Sequence, residues 1–135
     1  MRKRLWLLIA AALLFSVALV ACDEESGTLE DATYEQITPA EAKALMDSEQ
    51  EYIILDVRTP EEFAEGHIAG AILIPDYEIG ERAERILTDK DLLILVYCRS
   101  GRRSKNAASE LAALGYTNIK EFGGINDWEY GTVTD

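Results

Sequence analysis

A chain of 135 residues with 13 Lys and Arg against 25 Asp and Glu has a formal charge of −12, which excludes the broad basic face that nucleic-acid binding needs to release counterions. With 48% hydrophobic and 28% charged residues the composition is globular, and the length suits one domain, since domains commonly run to about 100–150 residues. A second full domain is excluded, and any anion site must be small and local.

The chain opens on Arg2, Lys3 and Arg4, then runs apolar from Leu5 to Val20, broken only by Ser16. That is the layout of a secretion signal, and the run is marginally short of the roughly 20 residues a membrane span needs. It closes on Leu19-Val20-Ala21-Cys22, which resembles the lipobox of bacterial lipoproteins, where the cysteine is diacylated and becomes the new N-terminus. The expectation is a signal peptide over residues 1–21, a lipid on Cys22 and an extracytoplasmic domain anchored to a bacterial membrane, with the outer face of the cytoplasmic membrane favoured. Asp23 resembles the inner-membrane retention signal of enterobacterial lipoproteins. Removing three basic residues from a charge of −12 leaves −15. Residues 23–33 are acidic and poor in bulky apolar groups, so 22–33 reads as a lipidated cysteine with a solvated tether and 34–135 as the folded domain.

Within that domain, Thr38-Pro39-Ala40-Glu41 has the pattern of a capping box with proline at the first helical position, which predicts a helix to about Asp47. Tyr52 to Val57 is mostly apolar and β-branched, the composition of a buried strand. Thr59-Pro60-Glu61-Glu62 repeats the capping pattern and opens a short helix that Gly66 ends. Ala71 to Ile74 is a short strand stopped by Pro75. Glu78 to Leu87 reads as helix, with Ile79, Ala83, Ile86 and Leu87 at core spacing. Leu92 to Tyr97 is the most apolar strand and is predicted to be central. Ser104 to Leu114 predicts a helix closed by Gly115, and Ile119 to Phe122 a last strand. Strands alternating with helices define an α/β class: a small parallel sheet with helices on both faces.

In such sheets a ligand sits beyond the carboxyl ends of the strands. Here the most apolar strand delivers Cys98 to that edge, followed by Arg99-Ser100-Gly101-Arg102-Arg103 and a helix. Consecutive amides of a tight glycine-containing loop at a helix N-terminus make an anion cradle, reinforced by the helix dipole. A thiol at the mouth of that cradle is expected as thiolate. At an ordinary pKa of about 8.5 only about 3% ionises at pH 7, whereas at about 6.5 some three quarters does. Cys22 and Cys98 are the only cysteines. A lipidated Cys22 cannot form a disulfide, which leaves Cys98 as the free thiol. Arg99, Arg102, Arg103 and Lys105 gather within seven positions of an acidic chain, a spot that selects small anions over polyanions.

Other residues carry plainer expectations. Asp56 and Arg58 at a strand end read as a structural ion pair, and His67 in its glycine-rich turn as a hydrogen-bonded structural residue. One histidine and no cysteine cluster argue against a metal site, and no cofactor is expected. Trp128 reads as core packing or a pocket lip, and Glu61, Glu62 and Glu65 as a solvated acidic face. Ser100 and Ser104 lack an adjacent base, so they read as donors or caps rather than nucleophiles.

Asp56-Val57-Arg58, Gly66-His67-Ile68-Ala69-Gly70-Ala71, Cys98 to Arg103, and Gly123-Gly124 followed by Trp128 together resemble a single-domain rhodanese over about residues 34–131. The resemblance implies a sulfurtransferase. Cys98 would take sulfane sulfur from a small anionic, thiosulfate-like donor or a persulfide, become a persulfide, and pass the sulfur to a thiophilic acceptor such as cyanide or a thiol, in the double displacement of covalent catalysis. It also implies that Arg99, Ser100, Gly101, Arg102 and Arg103 bind substrate, that Asp56, Arg58 and His67 support them, and that loop amides stabilise thiolate and persulfide. Cell-cycle dual-specificity phosphatases resemble rhodaneses but use Cys-x5-Arg. Here Cys98 to Arg103 is Cys-x4-Arg, and residue 104 is Ser104, which argues against phosphatase activity. The alternative on the same fold is a non-enzymatic redox or interaction module, with Cys98 in a mixed disulfide with a protein thiol partner. With Cys22 lipidated, no second free cysteine can resolve a persulfide, and the acceptor must come from outside.

Overall fold

The computed structural model describes residues 33–134; the expected signal peptide, the lipid site at Cys22 and nearly all of the tether lie outside them. Among the described residues no helix is long and apolar enough to cross a membrane. In chain order the elements are β1 (Glu35–Gln36), α1 (Pro39–Met46), β2 (Tyr52–Asp56), α2 (Pro60–Glu65), β3 (Ile72–Leu73), α3 (Ile79–Ile86), β4 (Leu93–Cys98), α4 (Arg102–Ala113) and β5 (Ile119–Gly124), with 3-10 turns at Asp76–Glu78 and Ile125–Asp127. The strands form one parallel sheet in the order β1-β5-β4-β2-β3, so the α/β expectation holds.

The central strand β4 explains the layering. Its six residues are all buried, and successive side chains point to opposite faces. Ile94, Val96 and Cys98 pack with Ile79 and Ala83 of α3 and with Ala107, Ala108 and Leu111 of α4. Leu93, Leu95 and Tyr97 pack with Ala42 of α1 and with Phe122 of β5. Each aliphatic side chain so buried contributes about 1.5–3 kcal/mol of transfer free energy. Because both faces are covered, the strand is apolar throughout instead of alternating.

The two capping sequences behave differently. Around Thr38 the box closes in both directions: the Glu41 amide donates to Thr38 Oγ1 at 3.1 Å, and the Thr38 amide donates to Glu41 Oε2 at 2.7 Å. Thr59 accepts from the Glu62 amide at 3.2 Å, but the Glu62 carboxylate is taken by Arg103.

Two expectations need correction, and one strand is additional to those expected. Ile86 is 41% exposed; the buried stripe of α3 follows Ile79, Ala83 and then Leu87, one residue past the helix. The fourth helix begins at Arg102, two residues before Ser104, because Gly101 at φ +105° ends the loop and sends Arg102 and Arg103 into the first turn. β1 is a strand of two exposed residues paired with Lys120 and Glu121, too short and too polar to show any period.

Candidate active site

At the carboxyl edge of the sheet the ladder between β4 and β5 slips between Val96 and Cys98, so that Cys98 pairs with Gly124. Slips of this kind re-aim side chains at strand ends. Cys98 Sγ accepts a hydrogen bond from the Gly101 amide at 3.0 Å and lies 3.3 Å from Ser104 Oγ. The left-handed conformation of Gly101, open to glycine without steric cost, turns that amide back onto the sulfur. Gly124 makes room for the same loop. A methyl group there would stand 2.0 Å from the Arg99 carbonyl oxygen, which instead accepts from the Asn126 amide at 3.2 Å.

The sulfur does not sit at the mouth of the loop, as the sequence led us to expect. Cys98 is 1% exposed, and of the loop amides it is that of Gly101 that reaches Sγ. The pull is inward, toward a buried polar group below the loop. Ser104 is fully buried, its hydroxyl 2.6 Å from Glu121 Oε1, 3.0 Å from the Gly101 carbonyl oxygen and 3.3 Å from that of Gly123. Glu121 is 2% exposed and also accepts from the Gly123 amide at 2.8 Å. Sequence reasoning passed over Glu121. The signal was a charged residue in phase with Ile119 on a strand expected to be buried.

The loop arginines divide by partner. Arg103 donates from both terminal nitrogens to the two oxygens of Glu62, at 2.7 and 2.9 Å. This hydrogen bonding holds the Glu62 carboxyl below its ordinary range and the Arg103 guanidinium above its own. Glu62 is therefore not part of a solvated face, unlike the exposed Glu61 and Glu65. Arg99, Ser100 and Arg102 are exposed. Arg99 joins Arg58, Glu62, Glu65 and Asn126 around a cleft of about 440 Å³.

On the opposite face of the sheet a second polar group is buried. Arg58 donates to Asp56 through Nη2 at 2.7 Å and Nε at 3.0 Å, and through Nη2 to the Gly66 carbonyl at 2.7 Å. Burial is the largest single influence on Arg58 and opposes its charge, but the hydrogen bond to Asp56, the Asp56 charge, and the smaller pulls of Tyr97 and Glu62 together outweigh it and hold the guanidinium above its ordinary value. Tyr97 accepts from the Ile68 amide at 3.0 Å; burial, and then the nearby Asp56 charge, push its phenol up. His67 is buried, its Nδ1 2.9 Å from the Phe63 carbonyl and its ring stacked 3.7 Å from that of Phe63. Its backbone exchanges two hydrogen bonds with Val133, holding the C-terminal segment beside the turn. Trp128 packs on Phe122 and Tyr130. Among the described residues no cluster of three or more metal-ligating side chains occurs.

Residues 38–130, which contain the Cys98 loop and both buried polar groups, match the rhodanese-like domain family. The chain belongs to that family. It is 41% identical over 73 residues to thiosulfate sulfurtransferase PspE of Escherichia coli, covering 54% of this chain and 70% of that protein. It is 38% identical over 88 residues to a sulfurtransferase of Allochromatium vinosum, covering 64% and 79%. Among solved structures, a rhodanese-related protein of Thermoplasma volcanium superposes with a TM-score of 0.66 at 32% identity, over 76% of this chain and all of that one. A rhodanese with anions from E. coli superposes with a TM-score of 0.59 at 36% identity, over 63% of this rhodanese-like chain and all of the other.

Proposed function

We propose that the protein is a sulfurtransferase in which Cys98 carries sulfur between a small anionic donor and a thiophilic acceptor. The observation that carries this reading is Cys98 Sγ held at 3.0 Å by the Gly101 amide, immediately before the twelve-residue helix α4. An amide and a helix N-terminus both favour negative charge on the sulfur. In the first half-reaction the thiolate attacks the outer sulfur of thiosulfate; the S–S bond of the donor breaks, its electron pair leaves on sulfite, and Cys98 holds a persulfide. In the second, cyanide or a thiolate takes the terminal sulfur and the Cys98 thiolate returns.

Arg99 is the cation placed to bind the donor's anionic oxygens, since it is exposed at the cleft while Arg103 is engaged with Glu62. Arg102, exposed in the first turn of α4, adds charge to the same edge. Reaction requires the donor to reach Cys98, which is buried and is not among the residues lining that cleft, so the loop must open for the sulfur to be attacked or to attack. The lipobox-like Leu19 to Cys22 supports lipid anchoring at Cys22, with the domain outside the cytoplasm facing small sulfur anions and protein thiols.

Steady-state turnover of thiosulfate and cyanide, read as thiocyanate, tests the reading. Turnover is expected for the full chain and is lost in Cys98→Ser. Arg99→Gln raises KM about ten- to a hundredfold, as expected when a charge-assisted hydrogen bond worth about 1.5–3 kcal/mol is removed. No thiocyanate, with mixed disulfides at Cys98 formed instead with protein thiols, would favour the redox-module alternative.

A further inference from the structure

Of the two buried carboxylates among the described residues that the scheme above leaves unused, Asp56 is paired with Arg58 and Glu121 is not paired with a cation. Glu121 lies on the sheet face that carries Cys98, in phase with Ile119 and opposite in direction to Phe122. Among the described residues it has no ion-pair partner; its Oε1 receives the Ser104 hydroxyl and the Gly123 amide. The carboxylate also sits directly under the cysteine loop, since a methyl group on Gly101 would stand 3.8 Å from that same oxygen.

Counting protons along Cys98, Ser104 and Glu121 narrows what this arrangement can do. A serine hydroxyl has one hydrogen and two lone pairs. When it donates to an ionised Glu121, its lone pairs can receive the Cys98 S–H. When it donates to a Cys98 thiolate, they can receive the O–H of a protonated Glu121. Both arrangements leave one negative charge on the group. Removing both protons would place a thiolate and a carboxylate on either side of a single oxygen, inside the protein, where like charges oppose each other's ionisation.

We propose that Cys98 and Glu121 share one titrating proton through Ser104, which makes Glu121 a positioning residue that receives the thiol proton as the sulfur becomes nucleophilic. In the step, the S–H bond breaks and an O–H bond forms at Ser104, while the serine's own hydrogen passes to Glu121 Oε1. The electron pair stays on sulfur, and no base from solution is consumed. The inference rests on the sulfurtransferase reading for its purpose, because the thiolate so formed is the group that attacks the donor.

One surrounding charge acts on the pair, and the others are engaged elsewhere or exposed. Arg103 of α4 is the cation that interacts electrostatically with Cys98, and it is bound to Glu62 of α2, with Asp76 as a weaker influence. On β2, Asp56 and Arg58 neutralise one another. On β5, Lys120 is paired with Glu35 of β1. Arg99 and Arg102 are exposed.

The test is the pH profile of iodoacetamide alkylation of the full chain, followed at the Cys98 peptide by mass, for the wild type, Glu121→Gln and Ser104→Ala. A shared proton makes the wild-type profile rise in two steps with a plateau between them. Glutamine keeps the shape and still accepts from Gly123, but cannot take the proton, so Glu121→Gln should rise in one step, below the upper wild-type step. Ser104→Ala should lower the plateau rate about tenfold. Superimposable single-step profiles for the wild type and Glu121→Gln would overturn the proposal. Should a variant fail to fold, the wild type alone decides. Alkylating Cys98 must then shift the pH at which the protonated-carboxyl infrared band of Glu121 disappears, and an unmoved band would overturn the proposal. Sulfur uptake from thiosulfate in the same samples keeps the two readings apart. Uptake with superimposable profiles sinks proton sharing alone, and a two-step profile without uptake sinks sulfur transfer alone.

Discussion

Two polar groups are buried at the carboxyl edge of the sheet, one on each face, and they are built on opposite plans. On the α1 face, Asp56 and Arg58 bring both signs of charge together, and the spare donor and acceptor capacity goes to the backbone of Gly66 and to Tyr97. On the α4 face, Glu121 brings one sign only, held by a hydroxyl and an amide, with a thiol at the far side of the hydroxyl. A closed, neutral pair can only hold loops together. A lone carboxylate within one oxygen of a thiol would, under the proposed sharing, have somewhere to move a proton. The contrast separates scaffold from chemistry more sharply than burial does, since Asp56, Arg58, Ser104 and Glu121 are all buried.

The largest effect should come from unbalancing the neutral pair. Asp56→Ala strands a buried guanidinium and is expected to cost about 3–5 kcal/mol in urea unfolding; a cost below about 1 kcal/mol would mean that the pair does not brace the fold. Next comes Gly124→Ala. Its methyl overlaps the Arg99 carbonyl, so a loss of about 1–3 kcal/mol is expected, together with displacement of the Cys98 loop visible as faster alkylation. Glu121→Gln keeps both hydrogen bonds and should change stability by less than about 1 kcal/mol, so a cost matching that of Asp56→Ala would place Glu121 in the scaffold. The smallest effect belongs to the half-exposed Glu62–Arg103 pair, worth about 0.2–1 kcal/mol. The folded-state carboxyl of Glu62 lies below its ordinary 4.5. Its contribution is therefore present above about that pH and is lost as pH falls through the lowered value. Glu62→Gln should show a shallower loss of stability in acid, measured as Tm against pH.

Much of this architecture was legible in the residues themselves. The unbroken apolar character of Leu93 to Tyr97 marked the central strand, and threonine-proline pairs marked the starts of α1 and α2. The cysteine loop announced itself because cationic residues right after an apolar strand serve no packing purpose. What stayed hidden was set by tertiary pairing. β1 has no periodicity of its own and exists because β5 offers an edge. Glu62 looked solvated because nothing local shows that Arg103, far along the chain, will claim its carboxylate. Cys98 was expected at the mouth of its loop, and the reason it turns inward lies in Ser104 and Glu121, which meet only once α4 packs on β5. A charged residue on a strand face is readable as an anomaly, but its partner is not.

The central claim, that residue 98 is a sulfur carrier, is met most directly by weighing the intact chain after exposure to thiosulfate. One added sulfur atom per chain is predicted, removable by cyanide and absent in Cys98→Ser; an unchanged mass, or a sulfur that persists in that variant, would contradict it.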